Sequence, residues 1–258
     1  MMERAFELAK LDWRYLTLEV PPDQLGDAVR GLRAMGFRGA NFTVPHKVAV
    51  IPLLDGLSDA ARLMGAVNCV NIVEGKLIGE NTDGKGFLQS LRTVIDPAGK
   101  RVVILGAGGA ARAIAVEVGL AGAAEITIVN RSAPRGQDLV VLLNDQVHVP
   151  AKLVVLEGNY SIPTEADIFI QATNIGLGDE TAIPPIDLAT LRPGLVVADV
   201  VFNPPKTRLL AAAGERGGIT LDGLGMLVNQ AVIGFQIWTG QTPDAGAMRE
   251  ALEEFLGL

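Results

Sequence analysis

The chain has 258 residues, enough for one large domain or two ordinary ones, and its 49% hydrophobic and 20% charged residues are the balance of a compact folding protein. A net charge of -7 argues against a nucleic-acid partner, and the longest apolar runs fall far short of the roughly 20 residues of a membrane span. One cysteine, Cys69, with only His46 and His148, excludes an internal disulfide and a zinc cluster, so no metal is expected. The first residues carry acids and no apolar signal core, which leads us to expect a cytoplasmic protein acting on a small molecule.

In chain order, Met2 to Lys10 reads as an amphipathic helix, and Trp13 to Val20 alternates like a strand that ends at Pro21 and Pro22. Asp23 to Met35 carries Leu25, Ala28, Val29 and Leu32 at helical spacing. A strand from Gly39 to Val44 then meets Pro45, and a helix is expected from about Val48. Two short strands, Cys69 to Val73 and Lys76 to Glu80, flank a Glu74-Gly75 turn, and Gly84 to Thr93 reads as a helix.

Beyond Pro97 the pattern changes. Arg101 to Leu105, Glu125 to Val129, Lys152 to Leu156, Asp167 to Gln171 and Leu195 to Asp199 are strand-like, and helical stretches separate several of them. That pattern predicts a doubly wound α/β domain. After a last strand beyond Gly218, helices are expected over Met226 to Trp238 and Ala245 to Leu256. The fold class is therefore two-lobed α/β: residues 1–92 with 224–258 as a discontinuous substrate-binding domain, and 93–223 as a Rossmann-type dinucleotide-binding domain.

The cofactor signal starts at Arg101 to Leu105, which runs into Gly106, Ala107, Gly108, Gly109, Ala110 and Ala111 before an alanine-rich helix. The first glycine permits a tight turn, the second lets a pyrophosphate approach the backbone, and a small Ala111 lets helix and strand pack closely. Free N-H groups at the helix start would hold the phosphates. Such a match is weak alone, but strand, turn, helix and the next strand together complete a βαβ unit. That next strand ends in Asn130, Arg131 and Ser132, with Arg135 close behind, where an NAD enzyme usually places a carboxylate. Two arginines there suit the 2'-phosphate of NADP, although solvated loop arginines are common.

Three further segments contain Asn41 to Lys47, Gly65 to Asn68, and Asn81 to Gly84. Their sequences, NFTVPHK, GAVN and NTDG, resemble the N-[VF]-T-V-P-x-K, G-A-[VL]-N-T and N-T-D-G motifs of the shikimate dehydrogenase family, in the same order and at similar spacing. The glycine turn, Asn130 to Ser132, Ala172 to Gly176, and Gly223 to Gln230 match as well, so the resemblance covers nearly the whole chain.

The resemblance implies reversible reduction of 3-dehydroshikimate to shikimate with NADPH, on the route to chorismate and the aromatic amino acids. It makes Lys47 and Asp83 the catalytic pair, with Lys47 moving the hydroxyl proton and Asp83 orienting it. A lysine beside a carboxylate favours its charged form, so action as a base needs desolvation or a nearby positive charge. It further implies that Thr43, Asn68, Thr82 and Gln230 bind substrate, and that Thr173, Gly223 and Met226 lie near the cofactor. Taken singly, each has a plainer reading: Thr43 a strand residue, Asn68 a turn former, Asp83 a helix cap, Gln230 a solvent-facing residue. His46 reads as a loop residue and Cys69 as a small buried hydrophobe.

Two departures from the family's pattern stand out. The family's opening strand and G-x-P-x-x-H-S-x-S-P loop have no counterpart, about 15 to 20 residues by ordinary element lengths. Such a loss is expected to leave unpaired edge groups and an uncovered apolar face, and a start inside the natural reading frame is the expectation that follows. Phe202 also stands where the family often has a tyrosine, which removes one hydroxyl from the substrate site and points toward quinate or another polyol acid. A non-catalytic NADP-binding homologue is the rival reading, and other Rossmann oxidoreductases leave the substrate-side motifs unexplained. Apolar helix faces serve a core or an interface equally well, so a homodimer is left open.

Overall fold

The computed structural model describes residues 1–258. In chain order the first elements are α1 (Met2–Leu8), α2 (Leu25–Ala34), β1 (Gly39–Asn41), α3 (His46–Ala49), β2 (Gly56–Leu57), α4 (Asp59–Met64), β3 (Cys69–Val73), β4 (Lys76–Glu80) and α5 (Asp83–Leu91). They are followed by β5 (Arg101–Leu105), α6 (Gly109–Leu120), β6 (Glu125–Asn130), α7 (Ala133–Leu142), β7 (Ala151–Val155), β8 (Ile168–Gln171) and β9 (Val196–Asp199). The last are α8 (Arg208–Glu215), β10 (Ile219–Leu221), α9 (Gly223–Thr239) and α10 (Ala245–Leu256).

Two compact units form: Met1–Asp83 with Gln230–Leu258, and Gly84–Asn229. The expected boundaries at residues 92 and 223 sit at helix ends, whereas the divisions fall inside the α5 and α9 helices. A continuous helix has no shift in composition to mark such a junction, which is why the sequence did not reveal it.

The first unit holds a four-stranded sheet in the order β1-β3-β4-β2. β3 and β4 form an antiparallel hairpin whose turn residues, Glu74 and Gly75, both have positive φ (51° and 75°), the backbone a two-residue hairpin turn demands. One face buries Val67, Val70 and Leu77 against Leu25 and Val29 of α2, Val50 and Ala61. Gly39 in β1 admits Trp238: a Cβ there would lie 2.1 Å from the indole nitrogen, which donates to the Val70 carbonyl at 3.0 Å.

The expected strand over Trp13 to Val20 does not form. The stretch joins no sheet and makes no backbone ladder, and its burial alternates only at the start, with Trp13 and Tyr15 half-buried and Arg14 exposed, after which Leu16 to Glu19 are all exposed. Alternation records which side a residue faces, but a strand also needs a neighbour, and that information is not local. An apolar groove of about 580 Å³ lies beside this stretch, lined by Tyr15, Leu16, Leu18, Leu32 and Phe42. Leu16 and Leu18 are each 58% exposed, and β1 is the edge of its sheet.

The second unit is a six-stranded sheet, parallel throughout, in the order β10-β9-β8-β5-β6-β7. Its strands are nearly continuous apolar runs because helices cover both faces of a parallel sheet. Val103, Leu105, Phe169 and Val197 sit in one core, and Ile104, Ile128 and Ile170 are fully buried. The order reverses between β5 and β8, and the crevice outside the strand ends at such a switch point is where open α/β sheets bind ligands. No helix of the protein is long and apolar enough to cross a membrane.

Candidate functional site: a lysine–aspartate pair and a dinucleotide crevice

Lys47 stands on the short helix α3 and Asp83 opens α5, yet the two meet: Nζ donates to Oδ2 at 2.7 Å. Their side chains keep 29% and 16% of their exposure, so the pair is sheltered but open to a ligand on one side. Asn68, just before β3, holds the other carboxylate oxygen, with Nδ2 donating to Asp83 Oδ1 at 2.7 Å and to Thr82 Oγ1 at 2.9 Å. The Thr82 backbone N-H donates in turn to Asn68 Oδ1 at 2.7 Å. Asn68 and Thr82 are buried, and each satisfies the other, as buried polar groups must. The backbone also locks the arrangement, since the Val67 N-H donates to the Lys47 carbonyl at 2.8 Å. Removing either charge leaves the other in a sheltered place without its partner, which is costly.

Thr43 lies exposed in the turn before α3, where its carbonyl accepts from the His46 N-H at 2.7 Å. His46 is better tied than a loop residue: its Nε2 pairs with the Val20 carbonyl at 2.8 Å. Gln230 is half-buried in α9, and Phe202 half-buried after β9. Cys69 is fully buried. Desolvation first, then the negative fields of Glu80 and Asp83, push its thiol up to about 12, so it is an inert hydrophobe.

In the second unit, Gly106 leaves β5 with φ 120°, and a Cβ there would come within 3.0 Å of the Ala172 carbonyl that follows β8. Gly108 and Gly109, at the N-terminus of the 12-residue helix α6, face open space where a side chain would stand, and no side chain caps the helix. Ala107 and Ala110, on either side of them, are half-buried, and Ala111 is fully buried. Small residues, open room and free N-H groups fit a pyrophosphate.

At the end of β6, Asn130 Nδ2 donates to the Ser132 carbonyl at 2.9 Å and shapes the turn that presents Arg131. Arg131 and Arg135 are both exposed and engaged by no carboxylate, so the two cations are available for a 2'-phosphate. Thr173 is set by a residue that the sequence reading passed over. Gln171, fully buried at the end of β8, accepts from the Thr173 N-H at 2.6 Å and donates to the Ile175 carbonyl at 3.0 Å. Its signal was a polar residue closing an apolar run. Asp199 closes β9 the same way, accepting from the Val201 N-H and the Thr207 hydroxyl, and burial pushes its carboxyl up to about 6 against those bonds. Gly223 begins α9, where a Cβ would meet the Val201 carbonyl at 2.5 Å, and Met226 is half-buried in its first turn.

Three family profiles match in succession: "Shikimate dehydrogenase substrate binding domain" over residues 1–70, "Shikimate / quinate 5-dehydrogenase" over 90–176, and "Shikimate 5'-dehydrogenase C-terminal domain" over 223–253. The "Shikimate dehydrogenase (NADP(+))" of Methanopyrus kandleri is 44% identical over 262 residues, spanning 99% of this chain and 90% of that protein. The chain belongs to the shikimate/quinate 5-dehydrogenase family. Among solved structures, the ligand-free 5-ketofructose reductase of Gluconobacter sp. strain CHM43 is similar at 56% identity and TM-score 0.95, covering 98% of this chain and 91% of that one. The shikimate 5-dehydrogenase of Listeria monocytogenes, in complex with shikimate and NAD, is similar at 37% identity and TM-score 0.90, with 97% and 90% covered. As a member of the shikimate dehydrogenase superfamily, the chain is an NADP(H)-dependent oxidoreductase acting on a CH-OH group. The dinucleotide crevice described above fits that cofactor at both its pyrophosphate and its 2'-phosphate ends.

Proposed function

We propose that the protein reduces a polyhydroxylated ketone with NADPH, a 5-ketofructose-like substrate being the leading candidate, with Lys47 and Asp83 as its catalytic pair. The observation that carries the choice of substrate is the 56% identity to a 5-ketofructose reductase over 98% of the chain, against 44% and 37% to the shikimate dehydrogenases compared. Phe202 agrees with it, because a phenyl ring offers a substrate no hydroxyl.

When bound, the dihydronicotinamide supplies the hydride. The Lys47 ammonium donates a hydrogen bond to the ketone oxygen and releases a proton to it as negative charge develops there. Asp83 holds the ammonium in line. Asn68, braced by Thr82, fixes the Asp83 carboxylate, and Thr43 and Gln230 offer neutral donors and acceptors to substrate hydroxyls. Gly106, Gly108 and Gly109 seat the pyrophosphate, and Arg131 with Arg135 selects the 2'-phosphate.

The second reading is reduction of 3-dehydroshikimate, favoured by the Methanopyrus kandleri relative's name and the match of all three family profiles. Loss of NADPH absorbance with 5-ketofructose, with 3-dehydroshikimate and with dehydroquinate separates the two. We expect kcat/KM for the ketose to exceed the others at least tenfold. Comparable or faster turnover of 3-dehydroshikimate defeats the proposal, and binding of NADPH with no turnover of any ketone defeats the enzyme reading.

A further inference from the structure

The extended stretch over Trp13 to Val20 joins no sheet, yet it is tied to the lysine–aspartate site at two points. At one end the Tyr15 hydroxyl donates to Asn41 Oδ1 at 2.7 Å. At the other the Val20 carbonyl pairs with Nε2 of His46, the residue before Lys47. The Tyr15 contact leads further. Asn41 Nδ2 donates to the Asn68 carbonyl at 3.0 Å, and the Asn68 side chain donates to Asp83, which accepts from Lys47. A chain of four hydrogen bonds thus runs from the phenol to the ammonium.

Each link has one workable direction. An amide can be turned either way round, and a flipped Asn41 would point its NH2 at the phenol and its oxygen at the Asn68 carbonyl, where two acceptors would face each other. The Asn68 carbonyl, which can only accept, fixes the amide the right way round and leaves Oδ1 facing the phenol, whose hydroxyl donates to it. Burial raises the Tyr15 hydroxyl above its ordinary value, so it stays a donor at working pH. The ring itself is held. It packs on Trp238 at 6.3 Å, and Trp238 is anchored to the Val70 carbonyl two residues beyond Asn68.

We propose that Tyr15 and Asn41 are positioning residues for the Lys47–Asp83 pair, acting in series through Asn68. This rests on the reading of Lys47 and Asp83 as the catalytic pair. Neither outer residue touches the reacting groups. Their part is to hold the Asn68 backbone where its amide meets both Asp83 and Thr82, since small misplacements of catalytic groups are costly.

The test uses the full chain and the ketone that turns over fastest. Tyr15→Phe and Asn41→Ala are each expected to lower kcat roughly tenfold, with the NADPH dissociation constant within twofold of the unchanged protein. The double variant is expected to match the worse single one, because groups acting in series are not additive. An unchanged kcat in either single variant overturns the proposal, and so do losses that multiply in the double variant. Should Tyr15→Phe fail to fold, Asn41→Ala alone decides by its kcat at unchanged NADPH affinity. Lys47→Ala run alongside separates the two levels: full activity in that variant sinks the catalytic pair itself, whereas its loss with Tyr15→Phe unaffected sinks only the positioning role.

Discussion

The two sheets solve the problem of placing functional groups in opposite ways. The parallel sheet of the Gly84–Asn229 unit has strands of three to six residues, most of them apolar and buried, and puts the residues proposed to meet the cofactor just past their ends: Gly106 after β5, Arg131 after β6, Thr173 after β8. The sheet of the other unit has strands of two to five residues, and the groups of its site are held by side-chain hydrogen bonds among Asn41, Asn68, Thr82, Asp83 and Lys47. In the first case the backbone at strand ends supplies the phosphate-holding turn and only exposed arginines add side chains to it, and in the second a polar network supplies the site. A site made of backbone tolerates side-chain changes around it, whereas a network fails link by link.

The sharpest test of that difference is Lys47→Ala. Removing the proton donor is expected to lower kcat about 10²- to 10⁴-fold, while NADPH binding, measured by quenching of tryptophan fluorescence, stays within twofold. Loss of both together would mean that the two regions do not divide the labour as described.

Stability should respond in the other region. Phe169 is fully buried in β8, and Phe169→Ala is expected to cost about 3–5 kcal/mol through lost burial and the cavity left behind. Urea denaturation followed by circular dichroism reads the shift, and a cost below about 1 kcal/mol would show that this core is looser than its burial implies.

These regions also differ in how much the sequence disclosed. Five of the six strands of the parallel sheet were legible to within a residue at either end, most of them because a strand buried on both faces is a continuous run of Val, Ile and Leu, whereas β10 was foreseen without bounds. Glu74-Gly75 announced its hairpin, and the Lys47, Asn68 and Asp83 segments announced themselves as motifs. Trp13 to Val20 misled, since alternation looks the same with or without a pairing partner. Tyr15 was invisible as a functional group for a related reason: its partner Asn41 lies 26 positions away, and only the folded sheet edge brings the two together. Asp199 and Gln171 could be seen as polar ends of apolar runs, but not what they bind.

Asp199 supplies a test by pH. Its carboxyl is raised to about 6 by burial, above its value in an unfolded chain, so the native state binds the extra proton. Stability from this group is therefore present below about pH 4 and lost as pH rises toward 6, a change on the order of 3 kcal/mol. Asp199→Asn cannot titrate. The difference in unfolding free energy between variant and unchanged protein should shift in the variant's favour across that window, and a constant difference would contradict the raised value.

Cofactor choice should come next in size. Arg131→Ala removes one charge-assisted hydrogen bond to a 2'-phosphate, worth about 1.5–3 kcal/mol, with the lower end expected at an exposed position. The KM for NADPH should rise roughly tenfold, that for NADH should hardly move, and kcat at saturating NADPH should stay the same. Equal losses for the two cofactors would remove Arg131 from the 2'-phosphate site.

The smallest effect is the most pointed one. Leu16 carries a large apolar side chain on a stretch that alternates like a buried strand, and by pattern alone Leu16→Ser should be as damaging as a core substitution. Its side chain is 58% exposed and its backbone belongs to no ladder, so little apolar surface returns to water on truncation and no paired strand is disturbed. The cost expected is within about 0.5 kcal/mol, against several for Phe169→Ala. A loss of 2 kcal/mol or more would show that Leu16 packs against something in solution, with the groove beside it, lined by Leu18, Leu32 and Phe42, as the place to look.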